Sequence, residues 1–422
     1  MAVASRTSPM ENALTRGQPR ALAAVAAMVV GPAPHAVLLA GPASSGKTTM
    51  AEDLATALLC CDPDPSARPC RKCRGCKQTA SGNHPDLHRL APDGAGRQIR
   101  IGDHSNPEPG TIRALIADLA LLPMEGGARV AIVEQAHRMN DDAQNALLKM
   151  LEEPPPGVTI VLCADDEECL LPTVRSRCVR VRLGAVAGRD IESWLGELGA
   201  ADAPSAARFA RLAGGSPGLA LAYARAPEAG RLRGEIARGL LDMLAAPRHE
   251  RLTAVRSLMT TAATLESALA EGRAAAATTG AAAGASAAGM VEEAATAATG
   301  RRRRKTAATA PAEETGTENA GPKITASDRR AAASSLLAIW ASVARDLAVV
   351  RLGANRRLRD PDLLDEMAAV APTLEPGALP AFLNRLGAVE ASLDDNVSPE
   401  LALDVLALAW PRPGHRSAPS TR

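Results

Sequence analysis

Ala36-Val37-Leu38-Leu39-Ala40-Gly41-Pro42-Ala43-Ser44-Ser45-Gly46-Lys47-Thr48-Thr49 decides the fold. The first five residues are a continuous apolar run, the pattern of a parallel strand buried on both faces. The next eight read Gly-x4-Gly-Lys-Thr. In such a loop successive backbone N–H groups turn into one concavity and bind phosphate oxygens. Gly41 and Gly46 permit the backbone angles, with Pro42, Ala43, Ser44 and Ser45 between them. Lys47 is placed to reach the β- and γ-phosphates, Thr48 to ligate magnesium, and Thr49 follows in a helix whose N-terminus favours an anion. The expected ligand of Gly41 to Thr49 is ATP with magnesium.

Working outward, Gln18 to Val30 reads as an Ala-rich helix and Thr48 to Cys60 as another. Ala128 to Val133 and Thr159 to Ala164 are further buried-strand candidates. Between them Asp141 to Glu153 is helical and is stopped by Pro154-Pro155-Pro156. Strands alternating with helices predict an α/β parallel sheet to about Leu183. Phosphate-loop ATPases end another buried strand in an Asp that holds magnesium, and in many a Glu follows that orients the attacking water. Here that strand ends in Glu134-Gln135. Glu134 can face the metal; Gln135 cannot accept a proton as a carboxylate does. Nucleotide binding without efficient hydrolysis fits both motifs.

Cys61, Cys70, Cys73 and Cys76 follow one helix-length later, spaced Cys-x8-Cys-x2-Cys-x2-Cys. Four thiolates fill the tetrahedral shell of one zinc and leave no position for water, so the site is expected to be structural. Arg71, Lys72, Arg74 and Lys77 offset the thiolate charge. Cys60 reads as core, His84 as dispensable to the metal, and Cys163, Cys169 and Cys178 as buried residues without ligand spacing.

The chain has 422 residues and a net charge of +1. That length suggests about two to four domains, and the charge names no partner. Aromatics make up 1% of the residues, which argues against a base-stacking platform. The N-terminal residues lack the apolar core of a secretion signal, and Ala21 to Val30 is too short to span a bilayer. A cytoplasmic protein without a membrane partner is expected, in which clustered cysteines favour metal over disulfides. Ala187 to about Ala246 is helical, broken at Gly214-Gly215-Ser216-Pro217-Gly218. The Ala-, Thr- and Gly-rich stretch 274–321, with the solvated basic run Arg301 to Lys305, reads as disordered. Helical pattern resumes near Ser327, where Leu336, Leu337, Ile339, Trp340, Val343 and Leu347 form an apolar stripe. The expected division is 1–183 for the phosphate-loop domain with the zinc module at 61–76, 184–250 for a small helical domain, 251–326 for a disordered linker, 327–411 for a second helical domain and 412–422 for a disordered tail.

Three segments carry a family resemblance: Glu134-Gln135-Ala136-His137-Arg138-Met139-Asn140, Asn145-Ala146-Leu147-Leu148-Lys149-Met150-Leu151-Glu152-Glu153-Pro154-Pro155, and Leu171-Pro172-Thr173-Val174-Arg175-Ser176-Arg177-Cys178. Their order and wording resemble the clamp-loader AAA+ modules of bacterial DNA polymerase III, over about Gln18 to Ala222. His84-Pro85-Asp86 and Gly215-Ser216-Pro217-Gly218 are nearer the delta-prime branch than the gamma/tau motor branch. The resemblance implies an AAA+ domain carrying a zinc module, a helical lid domain and a C-terminal all-α collar. It further implies a hetero-pentameric ring with gamma/tau and delta subunits that places a sliding clamp on primed DNA. Arg177, in the family's Ser-Arg-Cys motif, becomes a finger reaching in trans to a neighbour's γ-phosphate. Motor subunits carry a nucleotide-sensing arginine where this chain has Gly218. With Glu134-Gln135, that points to a stator-like subunit with little ATPase activity of its own.

Overall fold

The opening apolar run forms β1 (Ala36–Ala40), buried along its whole length, in a computed structural model that describes residues 9–92, 98–103, 108–125, 127–286, 326–394 and 397–413. Four further strands complete one parallel sheet: β2 (Leu87–Leu90), β3 (Arg129–Val133), β4 (Val158–Ala164) and β5 (Val179–Arg182). Their spatial order is β2-β3-β4-β1-β5, with Ala36 opposite Ile160 and Val37 opposite both Val161 and Val179. β3 and β4 are buried at every position, as strands covered on both faces must be. The two edge strands β2 and β5 were not anticipated. Each has four residues and carries charged or titratable side chains, His88 and Arg89 in one and Arg180 and Arg182 in the other.

Helices cover both faces. Val25 and Val29 of α1 (Pro19–Val30) and Met50 and Leu54 of α2 (Lys47–Leu58) pack on one. The other receives Ile112, Leu115 and Leu119 of α4 (Ile112–Leu119) and Leu147 and Leu151 of α5 (Asp141–Glu152). Between them in sequence is α3 (Arg74–Ala80), which packs on α2. The helix and strand spans expected at 18–30, 36–40, 48–60, 128–133, 141–153 and 159–164 recur within one or two residues.

A buried ion pair pins the β2 edge. Asp86 accepts from Arg129 Nη2 at 3.1 Å and from the backbone N–H groups of Met124 and Glu125 at 2.7 and 3.0 Å. Arg129 also donates to the carbonyls of Asp118 and Leu122. Burial opposes ionisation of Asp86, but the two N–H groups and the guanidinium outweigh it and hold its pKa below the usual carboxylate value. A depressed folded-state pKa contributes stability that is present above the unfolded value of about 4 and is lost as pH falls through the folded one. Asp86→Asn is expected to cost about 2–3 kcal/mol at pH 7 and to flatten the loss of stability on acidification below about pH 4. Urea titrations of both proteins across pH 3–7 check this; parallel pH curves would contradict it.

After β5 and the short α6 (Pro172–Arg175), two helical bodies follow. In the first, α7 (Gly188–Glu197), α8 (Ala203–Leu212) and α9 (Pro217–Arg225) close on Ile191, Leu195, Ala206, Ala210 and Ala220. The second comprises α10 (Pro227–Ala245), α11 (Arg248–Ser286), α12 (Ala326–Arg351), α13 (Leu364–Val370), α14 (Ala378–Asp394) and α15 (Pro399–Ala409). Its core centres on Trp340, Phe382 and Trp410, with ring centroids 4.6–5.6 Å apart. The expected stripe Leu336, Leu337, Ile339, Trp340, Val343, Leu347 lies in this core. Asp328–Arg351 is long and apolar enough to cross a membrane, but over half of it is buried here against neighbouring helices.

One expectation is overturned. The linker placed at 251–326 begins too early, because α11 continues through Ser286. Val255, Leu258, Ala262, Leu265 and Leu269 are buried, so an Ala-rich sequence with one large apolar residue per turn suffices to pack against α10 and α12. The small helical domain placed at 184–250 therefore loses α10, which packs in the second core. Residues 287–325, including Arg301 to Lys305, and the tail 414–422 lie outside the described residues.

Candidate functional site: phosphate loop, thiolate cluster and exposed arginine

β1 delivers the chain into the loop at Gly41, whose N–H donates to Ala164 O of β4 at 3.2 Å. Gly41 (φ +155°) is held so close to the sheet that a Cβ there would come 2.3 Å from Leu183 O, so no larger residue fits. Ser44 and Gly46 take positive φ, and Gly46 caps α2. Pro42, Ala43 and Ser44 are exposed, and Thr48 and Thr49 are half-buried in the first turn. Lys47 Nζ donates to Gly41 O at 2.8 Å and Pro42 O at 2.6 Å, and pairs with Asp165 Oδ1 at 2.7 Å.

Other elements buttress the loop. Gln18 Nε2 donates to Gly184 O at 2.6 Å and Ser45 O at 3.4 Å. From the first helical body, Ser216 Oγ donates to Ser44 O at 3.0 Å while accepting from Leu219 N. The Gly214-to-Gly218 break thus touches the loop directly. At Gly218 an added Cβ would meet nothing within 4 Å, so sterics do not exclude a longer side chain there.

Glu134 directly follows β3. Burial raises its pKa against the charge of Arg89, whose Nη1 is 3.8 Å away and 2.8 Å from Glu52. Cys163 is buried behind them; burial, reinforced by Glu134, pushes its thiol up to about 12. Asp165 was not singled out from the sequence. Its signal was its position directly after a buried strand, since the carboxyl ends of parallel strands line the ligand crevice.

The cysteine cluster corrects one ligand. Cys60, Cys70, Cys73 and Cys76 present sulfurs all within 4.8 Å of one another. Cys60 Sγ is 3.5 Å from Cys70 and 3.9 Å from Cys73, and Cys70 is 3.9 Å from Cys76. Tetrahedral zinc–thiolate bonds of about 2.3 Å require sulfur–sulfur edges of about 3.8 Å, so these four fit. Cys61, expected as the fourth ligand, is exposed and outside this group of four, whereas Cys60, expected in the apolar core, is 5% exposed and belongs to it. Cys61 contributes its N–H instead, donating to Cys73 Sγ at 3.4 Å, as does Cys76 N. Burial opposes a thiolate at Cys73, but these two N–H groups draw its pKa down to about 6. Burial, then its bond to Cys73, pushes Cys76 up. A metal bound there would displace the remaining thiol protons to solvent and close the site.

The module is locked onto α2. Gly75 lets α3 approach so closely that a Cβ would come 2.3 Å from Leu59 O. Arg71 pairs with fully buried Asp53 of α2, which also accepts from Leu14 N, Thr15 N and Thr15 Oγ1 at 2.7–2.9 Å. His84 stays outside the cluster, its Nδ1 accepting from Asp86 N at 3.1 Å. Cys163 is buried as expected and Cys178 partly so, but Cys169 is exposed.

Arg177 follows α6 on the exposed surface. Its guanidinium pairs with Glu152 Oε1 at 2.6 Å and donates to Thr173 O at 2.9 Å and, more distantly, to Ser176 Oγ. None of these partners belongs to the phosphate loop.

A parallel sheet in this order, a phosphate loop after β1 beside the central β4, and a small helical body touching that loop have the architecture of an AAA+ module. Residues 20–187 match the family described as DNA polymerase III, delta subunit. The delta-prime subunit of DNA polymerase III from Pseudomonas aeruginosa is 37% identical over 185 residues, covering 43% of this chain and 53% of that protein. That from Escherichia coli is 33% identical over 198 residues, covering 47% and 57%. The Escherichia coli tau subunit is 31% identical over 185 residues, covering 44% and 27%. Over residues 20–187 the chain is thus similar to the delta-prime and tau subunits of DNA polymerase III. The chain spans little more than half the length of these delta-prime relatives.

Proposed function

We propose that this chain is the delta-prime subunit of a DNA polymerase III clamp loader, a cytoplasmic, stator-like member of the ATP-driven ring that places a sliding clamp on primed DNA. Arg177 is its contribution to a neighbour's chemistry. The observation that carries this reading is the placement of Arg177: it is partly exposed, held by Glu152 and Thr173, with no partner in its own phosphate loop. A planar, permanently charged guanidinium presented at a subunit face suits charge neutralisation on phosphate transferred next door. The metal held by Cys60, Cys70, Cys73 and Cys76 braces the module and takes no part in the reaction. The helical body of α10–α15 forms the collar by which gamma/tau and delta subunits assemble.

In a reconstituted ring, Arg177→Ala is expected to lower DNA-stimulated ATP hydrolysis and clamp loading by about 10³-fold, the scale of an arginine finger, while the ring still assembles by size-exclusion chromatography. Undiminished hydrolysis by the variant ring would refute the role. A motor subunit of gamma/tau type is the second reading, favoured by the intact loop from Gly41 to Thr48. Turnover of ATP by the isolated chain supports it. Glu134-Gln135 and Gly218 weigh against it.

A further inference from the structure

The stator reading leaves Asp165 without a role, yet its carboxylate pairs directly with the phosphate-loop lysine. It follows Ala164, the β4 residue paired with Ala40 at the mouth of the loop. A lysine ammonium has three donors and no acceptor. Those of Lys47 meet Gly41 O, Pro42 O and the Asp165 carboxylate, all within 2.8 Å. The backbone at Asp165 is fixed as well, its N–H donating to His137 Nδ1 at 3.1 Å. The surroundings add negative charge: Glu134 and Glu52 share the single guanidinium of Arg89. Lys47 and Arg89 thus face the carboxylates of Asp165, Glu134 and Glu52.

From this geometry we infer that Asp165 makes the loop selective for a nucleoside diphosphate over a triphosphate. The inference rests on reading Gly41 to Thr48 as a nucleotide loop and deepens the non-motor role. Backbone N–H groups of the loop and the N-terminus of α2 carry most of the contacts to a β-phosphate, to which Lys47 adds one donor. A terminal phosphate needs Lys47 itself. It would share that ammonium with a carboxylate already at 2.7 Å, and close like charges disfavour the arrangement. The subunit then holds a diphosphate as a fixed structural ligand while its neighbours cycle.

Calorimetric titration of the full chain with ADP and with ATP, each with and without magnesium, tests this on wild type, Asp165→Asn and Asp165→Ala. Wild type is expected to bind ADP at least about tenfold more tightly than ATP. Both variants are expected to erase most of that ratio by tightening ATP. Asp165 is exposed beyond its strand, and thermal melts confirm that the variants fold. Equal wild-type affinities, or a ratio unchanged in both variants, overturn the proposal. Weaker magnesium–ATP binding in the variants overturns it too, by making Asp165 a metal ligand. Failure of every protein to bind either nucleotide also overturns it, yet leaves Arg177 untouched, because that residue is assayed through a neighbour's hydrolysis.

Discussion

Cys60→Ser is expected to release the metal, while Cys61→Ser keeps it. In the first variant three sulfurs remain and the shell opens; affinity is expected to fall by at least about 100-fold, beyond the loss caused by perturbing a mere supporting contact. Structural zinc in small modules carries apparent binding free energies of about 10–16 kcal/mol, so its loss unfolds the segment between α2 and β2. Damage should spread through the Arg71–Asp53 pair, which ties the module to α2 and to Leu14 and Thr15. Cys61→Ser leaves every cluster sulfur in place, and its N–H can still donate to Cys73. Elemental analysis of both purified variants, with thermal melts before and after chelation, checks the outcome. Zinc retained by Cys60→Ser and lost by Cys61→Ser would restore the assignment first read from spacing.

The second large effect is expected at Arg251 on α11. Its side chain is fully buried and faces five carbonyls: Leu244 and Ala246 at the end of α10, and Ala407, Trp410 and Pro411 at the end of α15, at 2.5–3.4 Å. No carboxylate pairs with it among its described contacts. Two helix C-termini supply the compensating negative charge instead, although burial, with Arg412 and Arg248 nearby, still lowers its pKa. Arg251→Met removes the cation and strands those carbonyls in a dry core. The expected cost is about 3–5 kcal/mol. Trp410 sits on the same carbonyl cluster and donates to Leu240 O at 2.8 Å, so its fluorescence should shift red as the end of α15 loosens. A melting curve and emission maximum matching wild type would contradict this account. Lysine should rescue only in part, because a point charge cannot spread over five acceptors as a guanidinium does.

Both cases show where reading the chain residue by residue reaches its end. The spacing of Cys70, Cys73 and Cys76 fixes three ligands, because a tight turn leaves few places for them. The fourth hangs on which way one peptide faces after Leu58, and Cys60 and Cys61 differ in the sequence by a single position. Arg251 falls at the start of the stretch expected to be a linker; its partners come from residues 156 to 160 positions away as well as from nearby Leu244 and Ala246. Asp165 acquires meaning only when parallel pairing sets Ala164 beside Ala40. The edge strands β2 and β5 carry too few apolar residues to announce themselves, and they form because β3 and β1 offer unpaired backbone to either side. α11 escaped notice for a related reason: its apolar residues are sparse, and they suffice only against the grooves of α10 and α12.

The sequence by itself determined the buried strand, the phosphate loop, the alternation that makes a parallel sheet, the presence of a thiolate cluster and the motif that carries Arg177. Those are short-range facts, written in local spacing and in residue types that few other structures tolerate. The tertiary structure decided the identity of the fourth sulfur, the engagement of Lys47 by Asp165, the direction in which Arg177 is held and the extent of the second helical core. Each depends on which distant groups meet, and burial favours that meeting because a buried charge or polar group left without a partner is costly.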